Sequence, residues 1–332
     1  MLTHKSTFAR NHVQPFFGIL LAVTTLVAPL AHGEDIPDEK QQSKPSGFQK
    51  AKQNMVLTFK VFKEVCAELI SMGIDPVGLA KDAAKDPGQF RVQVPEHDRK
   101  RIILFSTQDD DRICQSALEN WDTSPDMFYQ NAEDEKRVRA IAERIVAILP
   151  APAPEIRIRL RADDSINAAC TIGGALLVNR GTLRQISDDN LIAAIIAHEF
   201  GHASARHSSE GLTKLVMKTA IDTYGTEKLA QVCDADSNSA KYKWIGAVCG
   251  IGTTYGFALP YDRKMEFEAD RLGTLYLKRA GYPPEAMVQL FEFFLSLEGN
   301  AASPRVQSLL STHPATADRL EEVQKIIQAE LP

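Results

Sequence analysis

The pentapeptide His198-Glu199-Phe200-Gly201-His202 constrains this chain more than any other feature. Two imidazoles four residues apart lie on one face of an α-helix, so both rings can reach a single cation at about 2.0 to 2.1 Å. The carboxylate beside the first ring then sits where it can take a proton from a water held on that cation. Zinc suits such donors and brings the pKa of its water to about 7, which makes hydroxide available at neutral pH. A ligand helix of this kind has to be rigid. Ser187-Asp188-Asp189-Asn190 offers N-cap residues, and Leu191, Ile192, Ile195 and Ile196 recur at helical spacing up to His198, which predicts a buried, well-started helix.

Two histidines leave zinc short of protein ligands. The segment Glu266-Phe267-Glu268-Ala269-Asp270 supplies a third. Between Tyr261 and Gly281 the sequence reads as a second helix, closed by Gly281 and Pro283-Pro284. Glu266 and Asp270 share a face there, so Glu266 is the expected metal ligand and Asp270, one turn on, the acceptor for the outer N–H of a ligand histidine. Glu268 stands two residues off that face and reads as a solvated helix charge. His207, nine residues after His198, falls on a different part of the first helix and reads as a structural or polar surface residue. The metzincin spacing is excluded, because it would place glycine at 205 and histidine at 208, where the chain has Ala205 and Ser208.

The pairing of His198-Glu199-x-x-His202 with Glu266-x-x-x-Asp270 resembles the gluzincin peptidases of the HtpX, BepA, LoiP and CAAX-prenyl-protease family. Asn167-Ala168-Ala169-Cys170-Thr171-Ile172-Gly173-Gly174 is similar to that family's N-A-x-x-x-x-G-G block. The block precedes an edge strand, here Ala175 to Asn179, so Gly173, Gly174, Ala175, Leu176 and Leu177 are the expected substrate edge. Arg180-Gly181-Thr182-Leu183 follows in order. Ser311-Thr312-His313-Pro314, with Arg319 six residues after the histidine, resembles the C-terminal H-P-x-x-x-x-R element. The resemblance runs roughly from Ala132 to Leu331. Cys170-Thr171-Ile172 departs from it, standing where relatives often carry small or apolar residues ending in proline.

The resemblance implies an α+β, mostly α zincin fold with a small mixed sheet and an active-site helix, in the compact form without transmembrane helices or helical repeats. It implies an endopeptidase with one zinc ion per chain held by His198, His202 and Glu266. Glu199 would be general base and then acid, and Asp270 would orient a ligand histidine. His313 and Arg319 would supply donors to the oxyanion, with a helix-surface cation as the alternative for Arg319. In relatives the counterpart of His313 can instead approach the zinc from a mobile loop and hold the site shut, which Gly299-Asn300-Ala301-Ala302-Ser303-Pro304 would permit. An edge strand holds an extended peptide by main-chain pairing, so substrate choice is expected to be loose and to suit unfolded or misassembled proteins. The alternative is an envelope chaperone or assembly factor that binds exported chains through the same strand and cuts rarely.

Lys5 and Arg10 precede an apolar run from Phe16 to Leu30, and Ala31-His32-Gly33 provides small residues, so residues 1–33 read as a signal peptide cleaved near Gly33. Export, with the bacterial periplasm as destination, is the expectation. Loss of those two basic residues moves the formal net charge from −5 to −7, which argues against nucleic acid as a partner. Five cysteines in an exported chain predict disulfides with one thiol left over. The pairs expected are Cys66 with Cys114 and Cys233 with Cys249, leaving Cys170 as a buried free thiol.

Residues 34–47 read as a linker, 48–130 as an N-terminal extension, and 131–332 as the metallopeptidase domain. Within the extension, Phe48 to Met72 has helical periodicity, while residues 76–130 read as turns with short strands over Phe90 to Val94 and Arg101 to Phe105. Glu133 to Leu149 reads as an amphipathic helix and Glu155 to Arg161 as a half-buried strand. The apolar, glycine-rich stretch from Trp244 to Pro260 allows a peripheral membrane contact, with a buried core segment as the favoured reading.

Overall fold

A computed structural model describes residues 65–93, 100–123, 125–151, 153–217, 263–298, 313 and 317–330. The expected signal peptide and linker, most of the helix expected from Phe48, the expected Cys233–Cys249 disulfide, and residues 244–260 and 299–304 lie outside them. No helix among the described residues is long and apolar enough to cross a membrane.

The segment before residue 130 holds two helices where turns and short strands are expected. Helix α1 spans Pro76–Lys85, and the Asp75 side chain caps it by accepting from the backbone N–H of Val77 and Gly78. Helix α2 spans Thr107–Asp122 and opens on a reciprocal capping box between Ser106 and Asp109. Both starts are local signals of the ordinary kind, an N-cap with proline at N1 and an S-x-x-D box, but a segment whose apolar residues are sparse hides them. Between the helices, β1 (Arg91–Gln93) and β2 (Lys100–Ile102) pair antiparallel.

These elements share cores with the rest of the chain. Cys114, Ala117, Leu118 and Trp121 of α2 pack with Ala175 and Leu177. Val65, Leu69, Ile103 and Phe105 pack with Ile172, Leu212 and Met217. Two cores thus run across the boundary expected at 130, while the largest, from Val138 to Val323, lies wholly after it. The expected Cys66–Cys114 disulfide is absent: both are buried free thiols, as is Cys170. Cys114 faces the core built on Ala175, whereas Val65, next to Cys66, packs in another.

Helix α3 (Ala132–Val146), capped by Asn131, leads into a three-stranded sheet of β3 (Arg157–Arg161), β4 (Ala168–Cys170) and β5 (Ala175–Asn179). The strand order is β3-β5-β4, with β3 parallel and β4 antiparallel to β5. This corrects the substrate-edge assignment. Ala175, Leu176 and Leu177 belong to the central strand, and all five β5 residues are buried, as a continuous apolar run on a two-sided strand should be. The outer strands are β3 and β4, and β4 lies in the Asn167 block itself. Gly173 and Gly174 form the turn between them, with φ of +77° and +90°, a conformation that side chains disfavour.

Helix α4 (Arg180–Gln185) connects β5 to α5 (Asp189–Ser204), the helix of the pentapeptide, which Asp188 caps. Helix α6 (Arg263–Arg279) packs against α5, and α7 (Glu285–Glu298) and α8 (Ala317–Glu330) complete the layer. Two glycines allow the ligand helices to meet closely. A Cβ on Gly201 would lie 2.7 Å from the carbonyl oxygen of Ala269, and one on Gly273 would lie 2.9 Å from the backbone nitrogen of His198.

Candidate metal centre

Four buried side chains from three parts of the chain converge. His198 and His202 project from α5, Glu266 from the first turn of α6, and His313 from the segment before α8. One donor atom from each lies within 4.8 Å of all the others. His198 Nε2 is 3.1 Å from His202 Nε2 and 3.3 Å from His313 Nδ1. Glu266 Oε1 is 3.0 Å from His313 Nδ1 and 3.4 Å from His202 Nε2.

The outer nitrogens show why these donors fit a cation. His198 Nδ1 stands 3.0 Å from Asp270 Oδ1, and His202 Nδ1 stands 2.8 Å from His207 Nδ1. A proton on each Nδ1 satisfies those contacts and leaves both inward Nε2 atoms as lone-pair acceptors facing each other. Two acceptors at that separation repel unless a positive charge lies between them. Burial also holds His202 neutral, its pKa lowered to about 3. Imidazole nitrogens with one carboxylate are the donors that zinc favours.

Glu199 is one residue past the first histidine and turns to the other side, toward the sheet. Its Oε2 accepts the backbone N–H of Cys170 at 2.9 Å, and Oε1 lies 3.5 Å from His313 Nε2. Burial raises its pKa, with His313 and His198 opposing. For Glu266 burial pushes upward too, but His313, Arg319 and His202 outweigh it and hold the carboxyl well below its usual range. His313 is shifted up: burial opposes this, and Glu266 and Glu199 overcome it.

Arg319 departs from the helix-surface alternative. It is 3% exposed, so it is no surface cation. Its Nε and Nη2 donate to Asp270 Oδ2 and Oδ1, each at 2.7 Å, and Nη1 meets Glu266 Oε2 at 2.8 Å. The fork thus grips the two carboxylates of α6, and Arg319 also lines the recess beside His198 and Glu199.

One more expectation is corrected and another is narrowed. Glu268 is no solvated charge; it is 6% exposed, with Oε2 at 3.2 Å from His207 Nε2 and in a buried ion pair with Arg101. His207 takes the structural of its two expected places, fully buried against His202, and not on the surface. The reason is a break after α5. Ala205 caps the helix, Arg206 adopts a left-handed φ of 53°, and a new helix runs over residues 207–217. Helical extrapolation through Arg206 therefore places His207 on the wrong face. Arg101, on β2, carries no local signal at all.

An apolar recess adjoins the centre, lined by Ile195, Met287, Leu290, Phe291 and Phe294 beside His198 and Glu199. Asn167 and Thr171 at the ends of β4 bond to β5, so the intervening Ala168 and Cys170 direct their backbone groups away from β5, and the Cys170 N–H on that side reaches Glu199.

Helical layers over a small mixed sheet, with an H-E-x-x-H helix against a glutamate-bearing helix, define a metallopeptidase. Residues 132–327 match the model of Peptidase family M48, and the chain belongs to that family. It is 27% identical over 188 residues to the mitochondrial metalloendopeptidase OMA1 of Schizosaccharomyces pombe, covering 57% of this chain and 51% of that one. Against the OMA1 of Arabidopsis thaliana it is 32% identical over 158 residues, 46% of this chain and 28% of the relative. Against the beta-barrel assembly-enhancing protease of Escherichia coli (strain K12) it is 25% identical over 181 residues, 49% of this chain and 32% of the relative. The chain thus spans about half or less of the length of these relatives.

Proposed function

We propose that the protein is a zinc endopeptidase of the bacterial cell envelope that cuts unfolded or misassembled polypeptides. The convergence of His198, His202 and Glu266 beside Glu199 carries this reading. Zinc, when bound, supplies a polarised water of lowered pKa. A glutamate with raised pKa suits both halves of the proton transfer: Glu199 takes the water's proton on its carboxylate and returns it to the leaving amine. Asp270 and Arg319 orient His198 and Glu266. The substrate pairs as an extended strand with β4, and the apolar recess takes a side chain next to the scissile bond. Residues 1–33 support export to the periplasm, and the similarity to a beta-barrel assembly-enhancing protease of Escherichia coli supports an envelope role.

His313 supports a second feature, a resting state in which its ring takes the fourth donor position and bars the substrate. A chain held mostly closed in this way would bind exported proteins and cleave few of them, as an assembly factor does. Elemental analysis of the purified mature chain, with digestion of unfolded casein by it and by Glu199→Gln, tests the proposal. One zinc per chain and cleavage abolished by the substitution are expected; absence of zinc, or equal cleavage by both proteins, rejects it.

A further inference from the structure

A polar chain leads from the metal centre into the segment before residue 130. His202 Nδ1 lies 2.8 Å from His207 Nδ1, and His207 Nε2 lies 3.2 Å from Glu268 Oε2. Arg101 of β2 pairs with Glu268 and donates through Nη1 to the carbonyl of Ala205 at 2.6 Å. The bend that returns His207 to His202 is held from the same segment. Arg206, at its left-handed φ, donates to Asp110 Oδ2 and to the carbonyl of Phe105, both at 2.8 Å.

One proton must lie between two ring nitrogens 2.8 Å apart. A metal ligand uses Nε2 of His202 as a lone pair, so that ring's proton sits on Nδ1 and is donated to His207 Nδ1. The proton of His207 must then sit on Nε2, where the Glu268 carboxylate accepts it. The carboxylate thus dictates the tautomer of both rings. From this geometry we infer that His207 and Glu268 are positioning residues for ligand His202, and that Arg101, Phe105 and Asp110 of the N-terminal segment hold that pair in place. Asp270 does the same for His198 directly. Both ligand histidines are therefore oriented from α6, His198 directly by Asp270 and His202 by Glu268 through His207, and the N-terminal segment that holds this second pair is part of the metal centre's construction. This rests on the assignment of His202 as a zinc ligand.

Zinc affinity measured by competition with a chromophoric chelator tests the inference without any appeal to cleavage. His207→Leu removes the acceptor for His202 Nδ1–H and is expected to weaken zinc binding about 10- to 100-fold. His207→Asn, whose Oδ1 stands near the lost Nδ1, is expected to recover most of that, and the visible spectrum of the cobalt-substituted proteins should shift in the leucine variant and return in the asparagine one. Unchanged affinity in His207→Leu, or equal loss in both variants, overturns the inference. Histidine ¹⁵N shifts of the unsubstituted protein give a second reading that no folding defect can blur. His202 protonated on Nδ1 and His207 on Nε2 are expected, and His207 protonated on Nδ1 overturns it. A wild-type chain that takes up no zinc rejects the metal assignment itself, and is told apart by that result alone.

Discussion

Arg319 grips Asp270 through two parallel hydrogen bonds, Nε to Oδ2 and Nη2 to Oδ1, each 2.7 Å long and fully removed from solvent. The same guanidinium reaches Glu266, so one cation from the C-terminal helix compensates both carboxylates that α6 sends to the metal centre.

Breaking that fork leaves the Asp270 carboxylate buried without its guanidinium partner and takes one of the cationic neighbours from Glu266. Arg319→Met should cost about 3 to 5 kcal/mol of stability, read as a fall in the urea midpoint of the metal-free protein. The sign with pH follows from Asp270. Burial opposes its ionisation, but Arg319 lowers its folded pKa below the ordinary 3.8. Its contribution is therefore complete above that unfolded value and is lost as the pH falls through the folded one. Without Arg319 the acid loss should begin at higher pH; identical acid profiles for the two proteins would count against the pairing.

Glu199→Gln should keep metal and fold while cleavage drops about 10²- to 10⁴-fold, the range for loss of a general base. The amide can no longer accept a proton, yet its oxygen can still meet the Cys170 N–H that orients the side chain. Near-normal casein turnover in the variant would assign the base to another group.

For His313 two roles give opposite signs. If its ring rests as a fourth donor, His313→Ala should raise basal cleavage of unfolded casein at unchanged zinc content. A drop of about 10²- to 10³-fold would instead make it an oxyanion donor. Its contact with Glu266 at 3.0 Å favours the first outcome.

Gly273→Ala should disturb the metal centre without touching a ligand side chain. The added Cβ would meet the backbone of His198 at 2.9 Å, forcing α5 and α6 apart. A loss of about 1 to 3 kcal/mol in thermal unfolding and a weaker zinc affinity are expected. A variant with wild-type values of both would show that the helices yield at no cost.

Helical periodicity acts over one or two turns, and so the sequence by itself determined which side chains of α5 and α6 share a face: His198 with His202, and Glu266 with Asp270. Caps and stops likewise act over a few residues, which is why α5 and the end of α6 at Gly281 were legible. What lies beyond a break in the backbone was not. The left-handed Arg206 redirects the chain, and only the packing of α2 and β2 against that bend determines that His207 meets His202 and that Glu268 is buried with Arg101. Strand order is decided in the same way. Ala175 to Asn179 is central because β3 and β4 flank it, a fact of long-range pairing that no local pattern contains. The target of Arg319, 49 residues from Asp270, depends on α8 closing over α6, since an ion pair between helices exists only once both have been brought out of water together.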